Sequence, residues 1–313
     1  MRLWTVVAAL TMAAFAQGPS PQTSAKHAPL TAPAKKALQL QVMLDRAGYS
    51  PGEIDGAMGT NTKTALAAFE KNGGDATALP QDPLVTYQIT DEDVAGPFTQ
   101  DIPNDLVQQA DLPALGYHDA IELLGERFHC SPALLRLVNQ QAQFKAGEQI
   151  LVPNVPTQFD PTRPQPKESA PARGAAGNVT ITVTRSSSSL VVADENGKTL
   201  FFAPVTTGSE HDPLPIGNWK VTGVQHDPEF HYNPELFWDA DPGKSKATIK
   251  PGPNNPVGVV WIDIDRPHYG LHGTPEPSLV GKTTSHGCVR LTNWDALVVA
   301  SFARTGTRVV FAE

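Results

Sequence analysis

The run Val179-Thr180-Ile181-Thr182-Val183-Thr184 alternates apolar and polar side chains, the pattern of a β-strand with one buried face. A second apolar run, Leu190-Val191-Val192-Ala193, leads into Asn196-Gly197, a dipeptide that favours a tight hairpin turn. Only residues 294–303 have a convincing helical pattern in this part of the chain. Residues 178–313 are therefore predicted to form a mainly-β domain, a sandwich or barrel-like fold. Its further strand candidates are 200–205, 219–221, 257–264 and 307–311.

Proline-rich tracts divide the rest of the chain. The 313 residues include 29 prolines, which cluster in stretches without apolar periodicity. The chain is therefore predicted to be multidomain. The expected order is a signal peptide (1–16), a flexible tether (17–35), a helical module (36–75), a connecting segment (76–112), a second small module (113–156), a Pro-rich linker (157–177) and the β-domain (178–313).

The first residues have the pattern of an export signal. Arg2 precedes an apolar stretch, and Ala14-Phe15-Ala16 offers a small-x-small cleavage site. A membrane anchor is the alternative, but the apolar stretch is shorter than the about 20 residues that span a bilayer. The mature protein is expected to be exported to the periplasm or cell wall, without stable membrane insertion.

Residues 36–75 are predicted to form a small all-α module. Apolar side chains at helical spacing end at Gly48, a turn-rich loop follows over 49–56, and a second amphipathic helix begins near Thr60. The stretch resembles the peptidoglycan-binding module of the PGB type, which implies wall glycan as a partner. A generic helical hairpin is the alternative. The matching positions are Leu40-Gln41, Leu44, Gly48-Tyr49, Gly52, Ile54-Asp55-Gly56, Gly59, Thr62, Ala65 and Phe69.

Residues 113–156 are predicted to form a small α+β module. Two helical stretches are separated by Ser131-Pro132, an N-cap followed by a proline at the first helical position. A turn and a short strand close the module at 145–153. The stretch resembles a LysM module, although no opening strand is evident, and a helical spacer domain is equally compatible with it.

The net charge of −8 and the absence of a basic cluster argue against nucleic acid as a partner. Two cysteines in an exported protein first suggest a disulfide. Cys130 lies in an apolar, helix-like run and is instead predicted to be a buried hydrophobe.

Cys288 lies in a very different setting, Ser285-His286-Gly287-Cys288-Val289-Arg290, which follows His272-Gly273. A cysteine thiol needs a base or a cation nearby to become a good nucleophile, and this stretch offers both. Gly287 leaves main-chain N–H groups near the thiol free to face an oxyanion. A zinc site is less favoured because the ligand spacing is too tight, so neither a metal nor a cofactor is expected.

These residues match the signature of the YkuD family of L,D-transpeptidases, and Thr207-Gly208 with Pro213-x-Pro215-x-Gly217 resembles a second family segment. The resemblance implies a cysteine acyltransferase of peptidoglycan biosynthesis that acts on peptide stems. Cys288 would be the nucleophile and His272 the proton donor and acceptor, oriented by the main-chain oxygen of Gly273. Ser285, His286 and Gly287 would line the site, and Arg290 would hold a substrate carboxylate or brace the loop.

Residues 226–255 form an aromatic and polar insertion between two predicted strands, longer than a simple turn requires. The insertion is interpreted as a lid over the donor site, with Tyr232 and Trp238 as substrate-binding residues. A solvent-facing insertion that packs its own aromatic side chains is the alternative.

Three other activities remain open. Water in place of an amine acceptor would make the protein an L,D-carboxypeptidase. A protein lysine as acceptor would make it an enzyme that attaches proteins to the wall. A non-catalytic wall-binding scaffold is disfavoured because Cys288 and His272 are both present.

Overall fold

The computed structural model describes residues 30–163, 178–241 and 243–313. The predicted signal peptide (1–16), most of the predicted tether (17–35) and residues 164–177 of the predicted linker lie outside the described residues. None of the helices in the described ranges is long and apolar enough to cross a membrane.

The N-terminal region is helical, as predicted. It contains α1 (Ala32–Arg46) and α2 (Thr60–Lys71). The first helix includes the last residues of the predicted tether, because the Thr31 hydroxyl caps it by accepting a 3.4 Å hydrogen bond from the N–H of Ala34. Gly48 follows the helix with φ of 82°, a left-handed conformation that suits glycine.

The middle region contains a strand that the sequence pattern did not indicate. Strand β1 (Leu84–Gln88), within the predicted connecting segment, pairs antiparallel with β2 (Gln149–Pro153). β1 is largely exposed and pairs with a strand distant in the sequence, so it shows no alternation of buried and exposed residues. The helices between them are α3 (Asp91–Val94), α4 (Leu106–Gln109), α5 (Ala120–Arg127) and α6 (Pro132–Val138).

The C-terminal domain is mainly β, as predicted. Its strands are β3 (Thr180–Thr184), β4 (Ser189–Ala193), β5 (Thr199–Pro204), β6 (Gly217–His226), β7 (Phe230–Tyr232), β8 (Ala247–Ile249), β9 (Val260–Ile264), β10 (Gly270–His272), β11 (Val289–Arg290) and β12 (Arg308–Ala312). Helix α7 (Asn293–Phe302) is the helix indicated by the sequence. Two short 3₁₀ helices span Pro234–Leu236 and Pro277–Leu279.

Eight of these strands form one continuous sheet in the order β11-β10-β9-β6-β12-β3-β4-β5. The long strand β6 joins its two halves, because the first part of β6 pairs with β12 and the second part with β9. A register shift between Val221 and Gly223 marks the transition. Side chains from both halves and from α7 share one hydrophobic core, so the sheet curls around the helix.

The helical N-terminal region packs directly on the β-domain. The N–H of Ser50 donates to the carbonyl of Phe202 at 2.8 Å, and the N–H of Phe202 donates to the carbonyl of Gly48 at 2.9 Å. The Phe202 side chain belongs to the same buried cluster as Leu44 and Tyr49. The two regions therefore share a core across their boundary.

Candidate active site

Cys288 and His272 are brought together by two neighbouring parallel strands. In the register of β10 and β11, Leu271 pairs with Val289 and His272 pairs with Arg290. Cys288 immediately precedes β11 and is aligned with Gly270, two positions from His272. Because side chains alternate between the two faces of a strand, Cys288, His272 and Arg290 lie on the same face.

His272 is buried and held in one orientation. Its Nδ1 lies 2.6 Å from the carbonyl oxygen of Gly273. A carbonyl only accepts, so Nδ1 carries the hydrogen and Nε2 keeps its lone pair. The indole of Trp261 stacks on the imidazole with ring centroids 5.3 Å apart. The pKa of His272 is lowered to about 3, mainly by burial and to a smaller extent by the positive charge of Arg290. The ring is therefore neutral at neutral pH.

The thiol of Cys288 is also neutral at rest. Its Sγ lies 3.6 Å from the carbonyl oxygen of His268 and donates to it. Burial raises the pKa of the thiol to about 11, although the N–H of Gly270 and the charge of Arg290 act in the opposite direction. A neutral thiol beside a neutral imidazole requires a base to remove the proton as the sulfur attacks.

The turn before Cys288 depends on Gly287. Its φ of 104° lies in the left-handed region, and a Cβ there would lie 2.6 Å from the Tyr269 ring. The Ser285 hydroxyl donates to the carbonyl of Cys288 at 2.6 Å and closes the turn. In the described part of the chain, the N–H groups of Gly287 and Cys288 make no backbone hydrogen bond.

Main-chain bonds fasten this turn to the segment that begins at Thr206. The N–H of Ser285 donates to Thr207 at 2.9 Å, and the N–H of Arg290 donates to Thr206 at 2.9 Å. The segment that begins at Thr206 therefore forms one side of the site.

The aromatic insertion reaches the same turn through His286. The Nε2 of His286 lies 2.8 Å from Oδ1 of Asp239, and the Phe237 ring packs edge-on against the imidazole. On its other side, Trp238 stacks on His211 with centroids 4.2 Å apart. The tip of the insertion, residues 237–239, thus spans from His211 to His286.

The two aromatic residues predicted to bind substrate are placed differently. Trp238 is 58% exposed beside His286. Tyr232 is 6% exposed and belongs to a hydrophobic cluster with Leu115 and Ile249. Tyr232 therefore packs under the insertion, and its side chain is largely covered.

Both cysteines are free thiols. Cys130 is buried in the core of the middle region, and burial raises its pKa well above the ordinary value. The disulfide that two cysteines suggested is absent from the structure. In the described ranges, no three His, Cys, Asp or Glu side chains converge as metal ligands.

Several residues of this site carried no signal in the sequence. Trp261 falls in an ordinary strand pattern. Tyr269 is distant from Gly287 in the sequence, and no local motif includes both residues. Asp239 was one acidic residue among many in the insertion. Their contacts arise from tertiary packing, which residue spacing does not encode.

Two parts of the chain match known families. Residues 178–311 match the YkuD family, described as "L,D-transpeptidase catalytic domain". Residues 34–74 match a family described as "Putative peptidoglycan binding domain".

Individual proteins are similar over parts of the chain. "Putative L,D-transpeptidase YkuD" of Bacillus licheniformis is 47% identical over 60 residues, 19% of this chain and 36% of the relative. The protein of that name from Bacillus subtilis (strain 168) is 26% identical over 193 residues, 61% of this chain and 92% of the relative. A solved structure, "L,D-transpeptidase from Mycobacterium smegmatis", is 17% identical with a TM-score of 0.36, over 44% of this chain and 59% of that chain. The chain thus spans little more than a third of the B. licheniformis relative.

Proposed function

We propose that this protein cross-links peptidoglycan stems through Cys288, because residues 178–311 match an L,D-transpeptidase catalytic domain and residues 34–74 match a peptidoglycan-binding domain. The observation that carries the proposal is the pairing of strands β10 and β11. This pairing places the Cys288 thiol and the neutral imidazole of His272, whose Nε2 is free, on the same face of the sheet. The two residues are two positions apart in the strand register.

In the first half-reaction, the Sγ of Cys288 attacks the carbonyl carbon of the third residue of a tetrapeptide donor stem. The Nε2 of His272 takes the thiol proton as the S–C bond forms. His272 then gives this proton to the amine of the terminal D-residue, and the peptide C–N bond breaks. General-base assistance of this kind contributes about 10²–10⁴-fold. The product is a thioester between Cys288 and the stem.

In the second half-reaction, an amine of a second stem attacks the thioester carbonyl. Nε2 of His272 accepts a proton from that amine, and the Cys288 sulfur leaves and recovers a proton. The new amide bond is the cross-link.

The oxyanion formed in both half-reactions needs donors that are free in the resting protein. The N–H groups of Gly287 and Cys288 suit this role, since no backbone acceptor within the described residues occupies them. The turn that presents them is held by Ser285.

Substrate contacts are assigned to groups around this turn. Arg290 lies beside His272 in the strand register and suits a stem carboxylate or braces the loop. His286 and the exposed Trp238 form the wall of the site under the insertion tip. The insertion 226–255 is proposed to be a lid, because its tip contacts the residue two positions before the nucleophile.

The other regions are assigned to wall recognition and export. Residues 36–75 would bind wall glycan. The middle region would be a LysM-like glycan-binding module, supported by two paired strands that enclose the helices α5 and α6. The start of the chain would be a cleaved signal peptide, which would bring the enzyme to the periplasm or cell wall. The domain limits predicted from the sequence remain part of this proposal, except that β1, from the predicted connecting segment, would join the LysM-like module.

Mass spectrometry of muropeptides after incubation with donor and acceptor stems tests the activity. Cross-linked dimers support a transpeptidase, whereas trimmed monomers alone would show a carboxypeptidase. Stem-modified protein lysines would show attachment of proteins to the wall. Cys288→Ala should abolish acyl transfer and retain sacculus binding, and transfer by this variant would contradict the mechanism.

A further inference from the structure

The first turn of α7 is held by the N-terminal half of the chain. The hydroxyl of Thr292 lies 3.2 Å from Nε2 of His129, and the indole of Trp294 stacks on the same imidazole with centroids 5.2 Å apart. One residue further, the Ser50 hydroxyl donates to Asp295 at 3.0 Å. The turn is buried throughout.

The remaining residue of this turn, Asn293, lies behind His272, the proposed base. A Cβ built on Gly273 or on Gly258 would be only 2.1 Å from Oδ1 of Asn293. The backbone of both glycines therefore packs on the Asn293 amide. The N–H of Val259 donates to the same oxygen at 3.2 Å, and Nδ2 of Asn293 donates to the carbonyl of Pro253 at 3.2 Å.

The contact with Gly273 matters because its carbonyl orients the base. Nδ1 of His272 donates to that carbonyl, which leaves Nε2 free for Cys288. A movement of the Gly273 peptide would turn the imidazole or release the hydrogen on Nδ1. Asn293 therefore acts on His272 through the peptide between them.

Asn293 also contacts the middle region. Helix α5 packs against α7, and the side chain of Glu126, on α5, lies close to that of Asn293. Burial raises the pKa of Glu126 to about 8, so at neutral pH the group is protonated and adds no charge behind the active site. The charged and titratable groups around it are Glu53, Glu122, His129 and Tyr117.

We infer that Asn293 is a positioning residue for His272, acting through the Gly273 peptide, and that Glu126 of the middle region holds Asn293 in place. The inference rests on the proposed role of His272 as the base for Cys288. It makes the N-terminal half of the chain a structural support of the catalytic site, in addition to any binding of the wall.

The test uses the full chain and needs no wall substrate. The rate at which iodoacetamide alkylates Cys288 is measured from pH 5 to pH 9, by mass spectrometry of the peptide that contains it. The variants are Asn293→Ala, Glu126→Leu and Glu126→Gln, with Glu92→Leu, an exposed acid of the same region, as the matched control. His272→Ala reports separately on the base itself.

The expected result is graded. At pH 7, Asn293→Ala slows alkylation by tenfold or more and moves its pH profile towards that of His272→Ala. Glu126→Leu slows it three- to tenfold, and Glu126→Gln, which keeps a hydrogen-bonding group, stays within twofold of the wild type. With a soluble donor stem, Asn293→Ala and Glu126→Leu lower kcat and leave KM within twofold, whereas Glu126→Gln leaves both near the wild type.

Two results would overturn the inference. One is a folded Asn293→Ala protein with the wild-type alkylation profile. The other is a Glu126→Leu profile equal to that of Glu92→Leu, which overturns the role of Glu126 even if Asn293→Ala does not fold. An unchanged profile in His272→Ala would instead contradict the proposed function, so the two failures are distinguishable.

Discussion

The indole of Trp261 lies parallel to the imidazole of His272, with ring planes 20° apart. This cover excludes water from one face of the base and contributes to the burial that lowers the pKa of His272 to about 3. The lowered value means that the imidazole stays neutral, and able to accept a proton, well below pH 6.

We therefore predict that the wild-type kcat/KM for a soluble donor stem shows no loss attributable to His272 between pH 7 and pH 5. Trp261→Ala admits water to the imidazole and should move its pKa upward, towards the ordinary value of about 6.5. Activity of that variant should fall as the pH drops through this range, because protonation removes the base. Trp261→Phe keeps a ring over the imidazole and should retain the wild-type profile. Identical profiles in the alanine variant and the wild type would contradict the role of the stack.

The turn at Gly287 provides a second prediction. In Gly287→Ala, the new methyl group would collide with Tyr269 and the residue would be held at φ of 104°, a strain of about 1–3 kcal/mol before any clash. The turn should relax and displace both the thiol and its N–H groups, with at least a tenfold loss of acylation rate. Intact-protein mass spectrometry of the acyl-enzyme measures this rate.

Gly306→Ala is the matched control for that turn. Gly306 has φ of 89° but open space where a Cβ would lie, so the alanine variant introduces backbone strain without a clash. It should lower stability and leave the acylation rate near the wild type. Equal acylation losses in the two variants would show that the Gly287 turn has no special role.

The sequence predicted features that depend on local patterns. The alternation at 179–184 and the Asn196-Gly197 turn correspond to β3, β4 and β5, and the helix at 294–303 corresponds to α7 within one residue. These elements bury strongly periodic faces, so the period of the sequence reports them directly.

Features that depend on partners far along the chain were not predictable in this way. β1 is mostly exposed and is defined by its pairing with β2, and Tyr232 is buried because residues near Leu115 cover it. His129 gave no signal either, although it contacts Asp45, Thr292 and Trp294 from separate regions. Such contacts follow from how the regions pack, and one sequence does not record that packing.

If the insertion is a lid, removing the Asp239 side chain should raise the KM for a donor stem. Asp239→Ala removes the contact between the insertion and His286, so the tip should lose its attachment to the turn before Cys288. Because exposed polar pairs of this kind contribute at most about 1 kcal/mol, the expected rise in KM for a donor stem is at most about fivefold. Steady-state kinetics with a soluble stem measures it.

Glu235→Ala provides the control for the lid, since Glu235 forms an exposed ion pair with Lys246 within the same insertion and does not contact His286. It should leave KM unchanged. If both variants behave alike, the Asp239 contact does not hold the insertion over the site.

The shared core between the helical region and the β-domain predicts that they unfold together. Ser50→Ala removes the hydroxyl that donates to the fully buried Asp295 and leaves that carboxyl short of a partner. The expected loss is about 1–3 kcal/mol in the free energy of unfolding of the whole chain. Urea unfolding should show one transition in both proteins. Ser186→Ala, at an exposed turn, is the control, and a separate early transition for the N-terminal region would contradict the shared core.

The carboxyl groups around α7 predict how stability changes with pH. Burial raises the pKa of Glu126 to about 8, of Glu53 to about 7 and of Asp295 to about 6. In the unfolded chain these groups are ionised above about pH 5. Between pH 6.5 and pH 8 the folded protein therefore binds more protons than the unfolded chain, and its stability must fall as the pH rises.

The neutral His272 does not offset this fall, because its lowered pKa makes stability rise with pH only below the ordinary histidine value of about 6.5. The raised pKa of His129 acts in the same direction as the carboxyl groups. Glu126→Gln removes one titrating group and should flatten the decline by up to about 1.4 kcal/mol per pH unit. The free energy of unfolding in urea at several pH values from 6.5 to 8 measures the slope, with Glu92→Gln as the control. A decline as steep in Glu126→Gln as in the wild type would show that Glu126 is already ionised in the folded protein.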